Sequence, residues 1–275
     1  MFNLLFFPMS TSWIQSRLLR LRHFVPHSVK RWFKDTLSIY DLEWILRNAK
    51  QNGFSPTTVI DVGAFKGEWT RQILRLFPDV QVLMVEPQRE LAPRLEQMAR
   101  SSNRVTFQQA LLSSSSNPVH FQVRGSVSSI IGQTVTTEAE ANGNHGAPSE
   151  DDTPQNTNIV EIHPQRLDEL VEETPFSAPD FLKLDVQGHE LKVLRGASTL
   201  LSEHPPDLIL LEVALIDCAG GAPLLADVVH FMDERGYRSY DVCTFYRRPL
   251  DDALWQMDVL FAHVESPLLE SSSYR

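Results

Sequence analysis

The chain has 275 residues, 42% of them hydrophobic, and a formal net charge of −10, enough for one sizeable α/β domain with elaborations. Residues 1–34 carry six bases (Arg17, Arg20, Arg22, Lys30, Arg31, Lys34) and no acid, leaving 19 bases against 35 acids in the remainder; such a body lacks the basic face a phosphate backbone demands, which excludes a nucleic-acid binder. Cys218 and Cys243 lie far apart outside any CxxC or Cys/His pairing, so neither a disulfide framework nor a zinc site is expected and the chain reads as cytoplasmic.

The opening MFNLLFFPMS is apolar, but its bases follow the apolar run instead of preceding it, which argues against a secretory signal. No apolar run approaches the ~18 residues of a membrane span. Ile14, Leu18 and Leu21, then Leu37, Leu42, Ile45 and Leu46, have helical spacing with a break near Pro26, so residues 1–54 are expected to form a helical cap. A basic cap on an acidic body outweighs a transit peptide or a membrane-surface helix. The apolar N-terminus leaves a homo-oligomer open.

The stretch TTVIDVGAFKGEW changes period within a dozen residues. Val59–Val62 reads as a short buried strand, Gly63 and Gly67 bracket a tight turn, and Trp69, Ile73, Leu74, Leu76 and Phe77 fall at helical spacing before Pro78. Strand, glycine turn and helix N-terminus make a nucleotide-sized site, although an ordinary βα unit that binds nothing has the same pattern. Val80–Val85 is a second strand ending at Glu86, 23 positions after Gly63; an acid at about that distance accepts hydrogen bonds from ribose hydroxyls in dinucleotide-binding folds. A helix over 88–100 and a strand over Arg104–Gln109, with Ala110 and Leu111 at its end, follow.

From 113 the pattern changes. Val119–Val123 and Asn158–Ile162 alternate like half-exposed strands and are expected to pair as an antiparallel hairpin inserted over 113–163. The polar segment 132–158 at its tip reads as a mobile loop, either a lid or a bland insertion.

In PDFLKLDVQGHELKVLRGA, residues 179–197, a strand over Phe181–Val186 presents Asp185 at its end, and Gly188 opens a helix whose Leu191, Leu194 and Leu201 face the core. His189 and Glu190 sit in its first turn, where the helix dipole favours the neutral imidazole that a general base needs. Asp207–Val213 is a further strand with Glu212 near its end. Asp61, Glu86, Asp185 and Glu212 thus gather at the carboxyl ends of four parallel strands, where open α/β sheets bind ligands. A helix over Leu224–Arg235 precedes two strands, Arg238–Val242 and Trp255–Val264. A loop of about a dozen residues with no crossover helix joins them, so they must pair antiparallel. The serine-rich tail, 266–275, is expected to fray.

With VIDVGAFKGEWT at 59–70, VEPQ at 85–88, the Ala110-Leu111 pair and above all DFLKLDVQGHELKVLRGA at 180–197, the chain resembles the FkbM family of class I S-adenosylmethionine-dependent methyltransferases. The resemblance implies a Rossmann-like α/β domain over 55–265, a seven-stranded mostly parallel sheet with an antiparallel last strand, elaborated by the helical cap and the inserted hairpin. It implies S-adenosyl-L-methionine as cofactor, with Asp61, Gly63, Ala64 and Gly67 at its methionine portion, Glu86 on the ribose, Gln109 and Ala110 flanking adenine, and Asp185 near its amino group. The family often has Asn where this chain has Phe65. The reaction implied is methyl transfer to a hydroxyl of a natural-product, sugar or peptide acceptor.

His189 as base with Asp185 orienting it, and Glu212 beside them, form the expected catalytic set. No metal is assigned, although Asp185 and Glu212 have the ligand chemistry to chelate a divalent cation. A nicotinamide-dependent oxidoreductase shares the glycine turn and ribose acid but is disfavoured by the absent G-x-G-x-x-G and the reversed last strand. A non-catalytic module on the same fold stays open.

Overall fold

The computed structural model of the chain describes residues 42–123, 129–131, 158–172, 174–218 and 221–270. Most of the helical cap, residues 124–128, the loop over 132–157 and the end of the tail lie outside the described residues.

The described chain opens with α1 (Leu42–Gln51) and then alternates β1 (Thr58–Val62), α2 (Glu68–Leu76), β2 (Gln81–Val85), α3 (Ala92–Arg100) and β3 (Val105–Gln108). Three strands of a small separate sheet follow, β4 (Val119–Val123), β5 (Ser129–Ile131) and β6 (Asn158–Ile162). The chain then resumes with α4 (Leu167–Glu172), β7 (Phe181–Leu184), α5 (Glu190–Arg195), α6 (Ser198–Glu203), β8 (Leu208–Ala214), α7 (Leu225–Asp233), β9 (Tyr237–Arg247) and β10 (Leu254–His263).

The large sheet has the order β3-β2-β1-β7-β8-β10-β9. β10 runs antiparallel to both of its neighbours, and the other pairs are parallel. This is the seven-stranded, mostly parallel Rossmann-like sheet with a reversed last strand.

Continuous apolar strands suit it because both faces are covered. In-register residues Leu83, Ile60, Leu182, Ile209 and Phe261 form a row across five strands and pack into one core with α4, α5, α6 and α7. The next row, Val82, Val59, Phe181, Leu208 and Ala262, packs into the other core with α1, α2 and α3. The period-2 alternation of side chains divides each strand between the two layers. Strand order reverses between β1 and β7, which opens a crevice at their carboxyl ends.

Several local readings change. β4 pairs with β6 antiparallel, as expected, but β5 joins the other side of β4, in a run of three residues too short to announce a strand. α4 was not read at all. The single helix expected after Gly188 is two, α5 and α6, interrupted at Gly196, where a Cβ would meet the Ser113 carbonyl oxygen at 2.2 Å. β9 continues to Arg247, so the connection to β10 is a six-residue turn, 248–253, and not a dozen-residue loop. Cross-strand pairing with β10 extends it, with register shifts that absorb the mismatch.

Candidate functional site

The turn after β1 is drawn onto the neighbouring strands. Gly63 and Ala64 both donate their N–H to the Val85 carbonyl, at 2.9 and 3.1 Å, and Phe65 donates to Glu86 Oε2 at 2.9 Å. Gly63 has φ 74°, and a Cβ on it would lie 2.0 Å from the Asp185 carbonyl oxygen. Only glycine lets the ends of β1 and β7 approach so closely. Gly67 closes the turn against α3, where a Cβ would meet Met98 Sδ at 2.9 Å. Phe65 sits between them in the left-handed region, φ 46°, a conformation that costs a non-glycine residue about 1–2 kcal/mol.

Glu86 stands immediately past β2, only 3% exposed. It accepts from Phe65 at one oxygen and from Gln88 N–H at the other, 3.1 Å away. Burial raises its pKa, and those hydrogen bonds oppose the rise. The Gln88 side chain donates to the same carboxylate and also opposes the rise.

Asp61 is fully buried. Its Oδ2 accepts from Thr70 Oγ1 of α2 at 2.6 Å, while Oδ1 faces the Lys183 ammonium 3.2 Å away. Lys183 is the polar residue in an otherwise apolar strand, directly beside Asp61 in register. Its Nζ donates to the Gly63 carbonyl at 2.9 Å and lies 3.4 Å from Asp185 Oδ2. Burial alone would lower the lysine pKa; the Asp61 and Asp185 carboxylates outweigh it and hold it above its usual value.

The turn after β7 carries two consecutive left-handed residues, Gln187 (φ 55°) and Gly188 (φ 87°). It aims Gln187 Nε2 between Asp185 Oδ1, 3.2 Å, and Glu212 Oε2, 3.0 Å. Glu190 turns back into the loop and accepts from Val186 N–H and Gly188 N–H at 3.0 and 3.2 Å. Burial pushes its pKa up to about 7.

Beside this turn an open cleft is lined by Gln187, Glu190, Glu212, Ile216, Trp255 and Gln256, with small residues between them. Burial, then Asp185, Glu190 and Asp258, raise the Glu212 pKa well above the usual carboxylate range. Asp258, the register partner of Glu212, is pushed up to about 6 by burial and Asp185, against a hydrogen bond from Thr244. Among the described residues that line the cleft none is basic. Among the described residues no group of three His, Cys, Asp or Glu is arranged to hold a metal, and the donor between Asp185 and Glu212 is the Gln187 amide.

His189 takes the N-cap position of α5. Its Nε2 lies 3.0 Å from Ser113 Oγ, whereas the Asp185 oxygens engage Lys183 and Gln187, so the expected orientation of His189 by Asp185 is not the one found. Burial, and secondarily Lys192, lower the His189 pKa to about 4. Gln109 and Ala110 follow β3; Gln109 is exposed, with a long 3.4 Å contact to the Pro87 carbonyl, and Ala110 packs at the edge of the core.

The structure therefore brings Asp61, Gly63, Ala64, Glu86 and Asp185 to one crevice and sets Glu212 in the adjoining cleft. It adds Lys183, Gln187, Glu190 and Asp258, which sequence reasoning passed over as candidates. A lysine inside the apolar strand FLKL was the one visible signal.

Residues 61–239 match the family model described as the methyltransferase FkbM domain. Among solved structures, precorrin-6y C5,15-methyltransferase from Geobacter metallireducens GS-15 is similar at 12% identity and a TM-score of 0.43, over 80% of this chain and 86% of that one. Magnesium protoporphyrin IX methyltransferase from Synechocystis PCC 6803, solved with bound SAM, is similar at 11% identity and a TM-score of 0.44, over 92% of each chain. No curated protein matches this chain in sequence.

Proposed function

From the premise that the chain belongs to the FkbM methyltransferase family, we propose that it transfers the methyl group of S-adenosyl-L-methionine to a hydroxyl of a natural-product, sugar or peptide acceptor. The observation that carries this reading is the acid-rich crevice at the switch point, where Glu86, Asp61 and Asp185 stand at the carboxyl ends of three adjacent parallel strands.

The residues present fit that cofactor. Asp61, Gly63, Ala64 and Gly67 hold its methionine portion, and Asp185 lies by its amino group. Glu86 takes the ribose diol, and Gln109 and Ala110 flank adenine. The bound cofactor supplies an electrophilic methyl group on a sulfonium.

The protein's own part is alignment and proton removal. Holding an acceptor in the cleft beside the crevice contributes on the order of 7–11 kcal/mol at best by orientation alone. Of the two base candidates, Glu212 lines the cleft and has a raised pKa. His189, lowered to about 4 and engaged with Ser113, is neutral but only weakly basic. A base must also lie within reach of the acceptor, which favours Glu212 because it lines the cleft. Gln187 positions its carboxylate, and the two acids in the lining, Glu190 and Glu212, favour a neutral or cationic acceptor over an anionic one.

Calorimetry with S-adenosylhomocysteine and with NADH tests the reading. Binding heat with S-adenosylhomocysteine is the expected result, and heat with NADH alone would overturn it.

A further inference from the structure

Lys183 lies where the two halves of the crevice meet, and nothing in the proposed reaction uses it. Its side chain is almost wholly buried, and an ammonium so placed persists only with full compensation. Three acceptors supply it: the Gly63 carbonyl at 2.9 Å, Asp61 Oδ1 at 3.2 Å and Asp185 Oδ2 at 3.4 Å. The first two belong to β1 and its turn, the third to the residue that follows β7. The Trp69 ring of α2 closes a further side, its centroid 5.9 Å from Nζ.

Resting on the cofactor seat proposed above, we infer that Lys183 is a positioning residue that sets the charge of that seat: its ammonium pins the end of β7 to the glycine turn and cancels part of the negative charge a cationic cofactor meets. Around the seat stand Asp61, Asp185 and Glu86, with Glu212, Glu190 and Asp258 behind them, and among the described residues Lys183 is a buried cation that acts on Asp61, Asp185, Glu86, Glu212 and Asp258. Without it, the carboxylates would grip any cation in the ground state. An enzyme gains no rate from ground-state affinity that is not also present in the transition state, and in methyl transfer the sulfonium charge is disappearing there.

The two roles separate in a binding experiment, because S-adenosylmethionine and S-adenosylhomocysteine share every group except the methyl and its positive charge. Dissociation constants for both are measured by calorimetry at pH 8 on the full chain carrying wild-type Lys183, Lys183→Arg, Lys183→Gln or Lys183→Met. Removing the charge is expected to shift the affinity ratio towards S-adenosylmethionine by about fivefold or more, the scale of one unit charge acting through a partly buried site; Lys183→Arg keeps the wild-type ratio. A loss that weakens both ligands by the same factor would reduce Lys183 to a purely structural tie and overturn the inference. Asp185→Asn, at a half-exposed position, keeps the test open if the lysine variants unfold: it must move the ratio the other way, and an unmoved ratio sinks the idea. Wild-type protein that binds neither ligand would refute the cofactor seat itself, and the inference with it.

Discussion

Glu212 on β8 and Asp258 on β10 are register partners across an antiparallel pair, which sets two carboxyl groups on the same side of the sheet. Like charges so placed destabilise a sheet by up to about 1 kcal/mol, and burial adds to the cost of ionising either one.

Glu212→Gln preserves the shape and an acceptor for Gln187 while removing one of the two acids. Its thermal midpoint is expected to rise by about 2–4 °C, the equivalent of roughly 1 kcal/mol in a chain of this size, and to rise more at pH 8 than at pH 6. If Glu212 is the base, the same variant loses about 10²–10⁴ in methyl-transfer rate. A stabilised variant of unchanged activity would confine Glu212 to a structural liability.

Stability should fall as pH rises above about 6.5. Glu190, pushed from 4.5 to about 7, and Glu212, also raised, bind more protons folded than unfolded. The stability they contribute is complete below their unfolded pKa and is lost as pH rises through the folded one. Asp258, raised from 3.8 to about 6, acts in the same direction between those values. His189, lowered from 6.5 to about 4, acts in the opposite direction, but only between those two values. Denaturant midpoints at pH 6.5, 7.25 and 8 check the slope, and Glu190→Gln, which keeps its acceptor for the Val186 and Gly188 amides, is expected to flatten it.

His189→Ala discriminates between the two base candidates. With its imidazole tied to Ser113 and its pKa near 4, the variant is expected to retain methyl-transfer turnover within about tenfold and S-adenosylhomocysteine affinity near wild type. A loss of 10²–10⁴, the range for a removed general base, would return that role to His189.

Gly63→Ala and Gly221→Ala compare two glycines of positive φ. Around Gly221 nothing lies within 4 Å of an added Cβ, whereas at Gly63 the Asp185 carbonyl oxygen is 2.0 Å away. Backbone strain alone destabilises by more than about 1 kcal/mol, so Gly221→Ala shows that cost and Gly63→Ala a larger one, together with loss of S-adenosylhomocysteine binding. Equal destabilisation of the two, with binding intact, would mean that the close approach of β1 and β7 is dispensable.

Much of the site was legible because its residues sit at element boundaries, where local chemistry is strict. Gly63 and Gly67 mark the turn, Glu86 ends an apolar run, and Asp185 ends FLKL. Glu190 was visible in the first turn of α5, but not that it reaches back to Val186 and Gly188, because that depends on the left-handed backbone at Gln187 and Gly188. The partner of His189 was illegible for a different reason: Ser113 is 76 residues away.

The sequence by itself determined the strand–turn–helix units, the reversed last strand and the gathering of acids at the carboxyl ends of the strands, since hydrophobic period and glycine placement are local properties. Only the tertiary structure decided which of those acids share a partner. Lys183 meets Asp61 because β1 and β7 are neighbours in the sheet, and Asp258 meets Glu212 because β10 inserts between β8 and β9. Register between strands distant in sequence is set by burial and packing of the whole sheet, not by either strand alone.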